Sequence, residues 1–248
     1  MTAIETEGLI KWFGDLRALD GLSLTVERGE LFGLLGPNGA GKSTTIKILT
    51  GQLLPDAGRV SVLGTDPTTE PIATREQVGI LPEREAPPSF MTPREYFSFV
   101  GSVRGLEEQT VNGRVGEWSN RLTLGEKLDT LVTDLSRGQQ QKVMITAAFL
   151  AEPDLVFIDE PLANLDPIVQ ERVRQYLVSY VEAGNTVFLS THHIEVAEAI
   201  CTHVGIVTEG HLIDDRDPST LDPDESLLDL FLANVEATDW DGGVEANP

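Results

Sequence analysis

Residues 36–44 read Gly-Pro-Asn-Gly-Ala-Gly-Lys-Ser-Thr, and no other stretch constrains the fold as much. The spacing GxxxxGK[ST] belongs to a loop that cradles phosphates between a strand and a helix. A triphosphate concentrates negative charge, so it needs many donors at close range. Gly36, Gly39 and Gly41 permit positive φ and close backbone approach, so successive N–H groups can form a nest. Lys42 adds a full charge for the β- and γ-phosphates, and Ser43 offers a hydroxyl to Mg²⁺. Pro37, Asn38, Ala40 and Thr44 complete the candidate loop. Leu31-Phe-Gly-Leu-Leu35 before it reads as a buried strand, and Ser43–Leu49 after it as a helix stopped by Gly51. Phosphate would then sit at a helix N-terminus, where the dipole favours anions. The competing reading is a chance glycine turn. Every specified position is filled, which favours the phosphate loop and an α/β fold with a mostly parallel sheet.

A second carboxylate-bearing strand supports this. Leu155-Val-Phe-Ile runs into Asp159-Glu160. A continuous apolar strand suits a parallel sheet covered on both faces, and ligands bind beyond the carboxyl ends of such strands. Asp159 is the candidate Mg²⁺ ligand, through water or Ser43, and Glu160 the candidate general base for an attacking water. On its own the pair could equally be a solvated strand end before a turn at Pro161.

Composition narrows the partners. The chain has 248 residues, with 40 acids against 18 bases for a net charge of −22, and only 5 of those bases are lysine. Nucleic acid is a poor partner for such a surface. The acids could form a local tail over 214–248 or reflect a surface adapted to high salt; their spread along the chain favours the second, in resemblance to proteins of salt-loving organisms. No apolar run reaches the roughly 18 residues of a membrane span, and Met1–Glu7 lacks the features of a secretory signal. Cys201 is the single cysteine and reads as a small buried hydrophobe in a reducing compartment.

Residues 4–13 and 22–27 alternate as half-buried antiparallel strands. Further strands are expected at 59–64, 77–82, 155–158 and 186–190, and a hairpin over 203–213 turning at Glu209-Gly210. Helical patterns cover about 93–100, 107–124, 138–150, 168–183 and 225–234. Residues 86–150 thus read as a helical insertion in an α/β core. There is no internal repeat, and the last 14 residues read as an acidic, disordered tail.

Leu135-Ser136-Arg137-Gly138-Gln139 precedes a helix and the 155–160 strand. Here the chain resembles the ATP-binding subunit of ABC transporters, whose signature is Leu-Ser-Gly-Gly-Gln; Arg137 departs from it. Alone, Ser136 could be an ordinary helix N-cap. The resemblance implies that Ser136, Gly138 and Gln139 act in trans, closing on the γ-phosphate held by a second subunit. It also implies that Phe13 stacks on adenine, with Trp12 the alternative stacker and a core aromatic the plain one. Glu83 falls where the family's lid loop has Gln, near Mg²⁺ and the attacking water, or else is an exposed loop acid. Ala163-Asn164-Leu165-Asp166 matches the loop that meets the partner, Asn164 departing from it; Asp166 could equally cap the following helix. His192, in Ser-Thr-His, matches the histidine that contacts the γ-phosphate, and His193 is its decoy neighbour.

The resemblance covers about residues 4–233 and leans toward the ABC-2-type, export-associated branch. It implies a P-loop NTPase core over about 1–85 and 151–234, with an N-terminal antiparallel β subdomain, a helical subdomain over about 86–150 and a tail over 235–248. The implied function is ATP hydrolysis that powers a transporter, with ATP and Mg²⁺ as cofactors. The implied partners are an integral-membrane permease and a second ATP-binding subunit, identical or not, at the cytoplasmic face of the membrane. Residues 84–104 are the candidate docking surface, with Phe90, Met91, Tyr96, Phe97 and Phe99 as anchors or as packing inside the helical insertion. The rival is a soluble ATP switch, as in DNA repair or ribosome-associated ATPases. The chain has no room for the coiled-coil insertion of the first and carries only one of the two domains usual in the second. A GTPase would need Asn-Lys-x-Asp, which the sequence lacks.

Overall fold

A computed structural model of the chain describes residues 1–160, 165–221 and 226–240, with side chains to 233. Two sheets stack at its centre. The smaller pairs β1 (Thr2–Phe13), β2 (Leu16–Glu27) and β4 (Ala57–Val62) in the order β2-β1-β4, all antiparallel. The larger joins β5 (Val78–Leu81), β6 (Leu155–Asp159), β7 (Thr186–Thr191), β3 (Leu31–Leu35), β8 (His203–Thr208) and β9 (His211–Arg216) in the order β5-β6-β7-β3-β8-β9. Only β9 is antiparallel to its neighbour, through the hairpin at Glu209-Gly210.

Alternation along the parallel strands divides the core. Phe32, Leu34, Phe157, Phe188 and Val207 face the small sheet and α1 (Lys42–Leu49). Val156, Ile158, Val187, Leu189, Val204 and Ile206 face helices on the other side. These include α5 (Arg137–Phe149), α6 (Pro167–Glu182), α7 (Ile194–Ile200) and α8 (Leu227–Trp240). Both faces are covered, so strands such as β6 and β7 are buried along their whole length. A third cluster comes entirely from residues 97–150, including Phe97, Val111, Val115, Leu135 and Val143. It unites α3 (Pro93–Val103), α4 (Glu108–Leu122) and α5.

Trp118 and Phe149 link this helical layer to α6. Phe149 stacks on Trp118 at 5.3 Å and meets Tyr176 and Tyr180 edge-on at 5.1 and 5.2 Å. Phe149→Ala is therefore expected to destabilise the fold by about 3–5 kcal/mol, read as a lowered denaturant midpoint.

Three expectations change. Residues 71–77 and 194–200 form helices, α2 (Pro71–Gln77) and α7, that the sequence pattern does not signal. The strand near residue 60 belongs to the small sheet, beside β1. The last helix extends to Trp240, well into the stretch read as a tail; residues 241–248 lie outside the described residues.

Candidate active site at the carboxyl ends of the parallel strands

Three adjacent strands deliver the site. β3 runs into the glycine loop, β6 ends in Asp159, and β7 between them ends in Thr191. Their register pairs Leu35 with Thr191 and Asp159 with Ser190, which brings three separate sequence stretches side by side.

The loop has the expected local build. Gly41 caps α1 with φ 102°, and a Cβ there would lie 2.6 Å from the Ala18 carbonyl oxygen. Gly39 has φ 88° and lines a cavity of about 470 Å³; a Cβ on it would meet no protein atom within 4 Å. The loop is thus an open cradle at a helix N-terminus, which fits a phosphate chain. Lys42 is nearly buried and its Nζ donates to the carbonyl oxygens of Gly36 at 2.7 Å and Pro37 at 3.0 Å. Burial holds its pKa below the usual lysine range, opposed by the charges of Glu160, Asp159 and Glu83.

Asp159 is only 7% exposed, and Ser190 Oγ donates to its Oδ1. Glu160 leaves the strand with φ 54°. That turn breaks the alternation that would put neighbouring carboxylates on opposite faces, and both line the cavity. Thr191 Oγ1 donates to Glu160 Oε2 at 3.0 Å, and the His192 N–H donates to Oε1 at 3.0 Å. His192 Nδ1 lies 2.6 Å from the same Oε1. A carboxylate held on both oxygens beside an open cavity can accept a proton from a positioned water.

Asn38, Gly39, Gly41, Lys42, Ser43, Thr44, Glu83, Asp159, Glu160 and His192 all line this one cavity. Asp159, Ser43 and Glu83 offer hard oxygen donors, a set that suits Mg²⁺. Phe13 lines its mouth at 49% exposure, whereas Trp12 is outside and under the Arg17 guanidinium. The sequence does not single out Ser190 and Thr191 as supports for the carboxylates, nor Leu16, Ala18 and Arg84 as lining. The Ser-Thr just before His192 at a strand end was the available signal for the first two.

The signature residues are elsewhere. Ser136 caps α5 through a reciprocal capping box with Gln139, and both lie outside the phosphate cavity with Gly138. A neighbouring hollow of about 420 Å³ joins Arg137, Gln140 and Gln141 to Glu83–Ala86, so Glu83 and Arg84 border both spaces. Asp166 caps α6 by accepting from the Val169 N–H at 3.0 Å, and it too is outside the cavity. That bond, with Lys142 nearby, lowers its pKa. Ala163 and Asn164 lie outside the described residues.

Comparison with known proteins agrees with this geometry. The profile described as ABC transporter matches residues 19–163. A Nod factor export ATP-binding protein I from Burkholderia lata is 34% identical over 228 residues, covering 92% of this chain and 75% of that protein. The chain belongs to the ABC transporter family. Another family member, the daunorubicin/doxorubicin resistance ATP-binding protein DrrA of Streptomyces peucetius, is 36% identical over 211 residues. The match covers 85% of this chain but 64% of DrrA, so the chain spans less than two thirds of that relative. It spans 42% of the Escherichia coli ATP-binding protein YbhF, at 34% identity over 97% of this chain. Among solved structures of the family, an ATP-binding subunit of an ABC transporter superposes with a TM-score of 0.88 at 29% identity, covering 94% of this chain and 99% of that one.

Proposed function

We propose that the chain is the ATP-hydrolysing subunit of an ABC transporter of the export-associated branch. The observation that carries this reading is the convergence of Lys42, Ser43, Asp159, Glu160 and His192 on one cavity beneath an open phosphate cradle. Resemblance to relatives named for export or drug resistance supports the branch.

The residues take these roles. Phe13 stacks on the base at the cavity mouth, and Gly36–Thr44 hold the phosphates through backbone N–H groups and Lys42. Asp159, Ser43 and Glu83 would hold Mg²⁺, which would supply charge neutralisation of the phosphates. Glu160 accepts the proton of the attacking water as the oxygen–γ-phosphorus bond forms and the bond to the leaving ADP oxygen breaks. His192 steadies Glu160 and faces the γ-phosphate. Ser136, Gly138 and Gln139 lie away from this cavity, so they serve the site of a second subunit in a head-to-tail pair, identical or not, with Asp166 near the same interface. Residues 86–150 form the helical subdomain that presents them, on a core over 1–85 and 151–234.

The work of the cycle is delivered to a permease. Among the described residues no helix is long and apolar enough to cross a membrane. Phe90 is 75% exposed and Phe99 also faces outward, so they are the anchors of the 84–104 surface; Phe97, at 1%, belongs to the helical core instead. In cells, the chain is expected to sediment with membranes and to crosslink through positions 90 and 99 to an integral-membrane protein. A wholly unsedimented chain, indifferent to salt, would count against transport and for a free ATP switch.

A further inference from the structure

His193 has no part in the mechanism above, yet it completes a donor set. Its ring lies 4.1 Å from that of His192 between centroids, and the two imidazoles and the Glu160 carboxylate place one ligand atom each within 4.8 Å of one another. We propose that Glu160, His192 and His193 form a binding site for a borderline transition-metal dication of the zinc(II) class, one that halts turnover by occupying the general base.

Donor chemistry separates this site from the Mg²⁺ position. Asp159, Ser43 and Glu83 offer oxygen alone, which suits a hard ion. Two imidazoles and one carboxylate are the set that three-ligand zinc sites use, with a fourth position open to water. Zinc–nitrogen bonds are about 2.0–2.1 Å long, which sets tetrahedral ligand atoms roughly 3.3 Å apart, so the His193 ring must draw slightly closer to the other two. His193 can supply that movement. It is exposed, and among the described residues its imidazole has no hydrogen-bond partner; its bonds are made by the backbone, the N–H donating to Thr191 Oγ1 at 3.0 Å and the carbonyl accepting from Val196 and Ala197. His192 Nδ1 and Glu160 Oε1, 2.6 Å apart across a hydrogen bond, separate slightly when a metal replaces the proton between them. The other histidines pair singly with acids, His203 with Asp215 and His211 with Asp20, and among the described residues no other three His, Cys, Asp or Glu side chains bring ligand atoms so close together.

A metal here would engage the Glu160 lone pair that must take a proton from water, while the phosphate loop stayed open to ATP. The inhibition therefore rests on the reading of Glu160 as the base; the binding does not.

The test uses the full chain without a histidine tag, free of nucleotide and Mg²⁺, titrated with Co²⁺ as a spectroscopic probe and then with Zn²⁺. One equivalent of Co²⁺ should bind with a visible d–d band, and Zn²⁺ should displace it. His193→Ala should weaken binding by about tenfold or more. His193→Cys should retain binding and add a thiolate-to-cobalt charge-transfer band. The native thiol, Cys201, is buried with its pKa pushed up by that burial, so it does not contribute such a band. Equal Co²⁺ affinity in the parent and His193→Ala, or no charge-transfer band in folded His193→Cys, overturns the site. In a second arm, Zn²⁺ should inhibit Mg-ATP hydrolysis by the parent and spare His193→Ala, whose basal rate should match the parent's. Binding without inhibition overturns the role of Glu160 and leaves the metal site standing.

Discussion

Glu160→Gln is expected to slow ATP hydrolysis by about 10²–10⁴-fold, the usual worth of a positioned general base, while ATP binding survives. Glutamine has nearly the same shape, so the carbonyl oxygen can still accept from Thr191 Oγ1 or the His192 N–H, whose bonds to Glu160 are both 3.0 Å. It cannot take a proton from water. The phosphate loop, with Lys42 bonded to Gly36 and Pro37, is untouched by the change. ATP should therefore be trapped. If the closed state is a pair, the variant's mass in solution should shift from monomer to dimer on adding Mg-ATP. The measurement belongs in molar salt, because two chains each carrying −22 repel one another, and at 1 M the Debye length is about 3 Å. Unchanged turnover would remove Glu160 from the role of base. Bound ATP with no change of mass would mean that closure requires the permease.

Much of the site was legible in the sequence because its chemistry is contiguous. The run from Gly36 to Thr44 carries its own turn, charge and hydroxyl. Asp159 and Glu160 sit at the end of an apolar strand, where a bound ligand would lie. What was not legible depends on register. Nothing local says that Ser190 will lie beside Asp159, or that Thr191 will reach Glu160; the pairing of β6 with β7 decides both. The choice between Trp12 and Phe13 is of the same kind. Neighbours on a strand point to opposite faces, and only the fold shows which face meets the cavity.

The missed helices have a different cause. α2 and α7 have seven residues each. Two turns are too short for an apolar period to stand out. α2 buries only Thr74, and α7 only Val196 and Ala197, so neither shows an apolar face in sequence. In α3 the period was visible but its phase was ambiguous. Pro93, Phe97 and Gly101 fall on the buried side at four-residue spacing, which turns Phe99 outward. Aromatic content alone could not separate a core residue from an exposed anchor.

The location of Ser136 and Gly138 outside the phosphate cavity leads to the sharpest test of the two-chain reading. Lys42→Ala removes a charged donor worth about 1.5–3 kcal/mol, or roughly a 10- to 150-fold loss in ATP affinity. Gly138→Asp sets a negative charge in the first turn of α5, facing a partner's γ-phosphate in the proposed pair. Each variant alone should be close to inactive, because both sites of its homodimer carry the same defect. Mixing them changes the arithmetic if the two chains associate as equals. In a mixed pair one site combines the Lys42 variant loop with the Gly138 variant signature, and the other combines two intact halves. Random association makes half of all pairs mixed, so turnover should recover to about a quarter of the parent's. That recovery can arise only if loop and signature from different chains build one site. Two inactive variants that stay inactive when mixed, while native mass spectrometry shows mixed pairs forming, would mean that each chain's signature does not serve its partner.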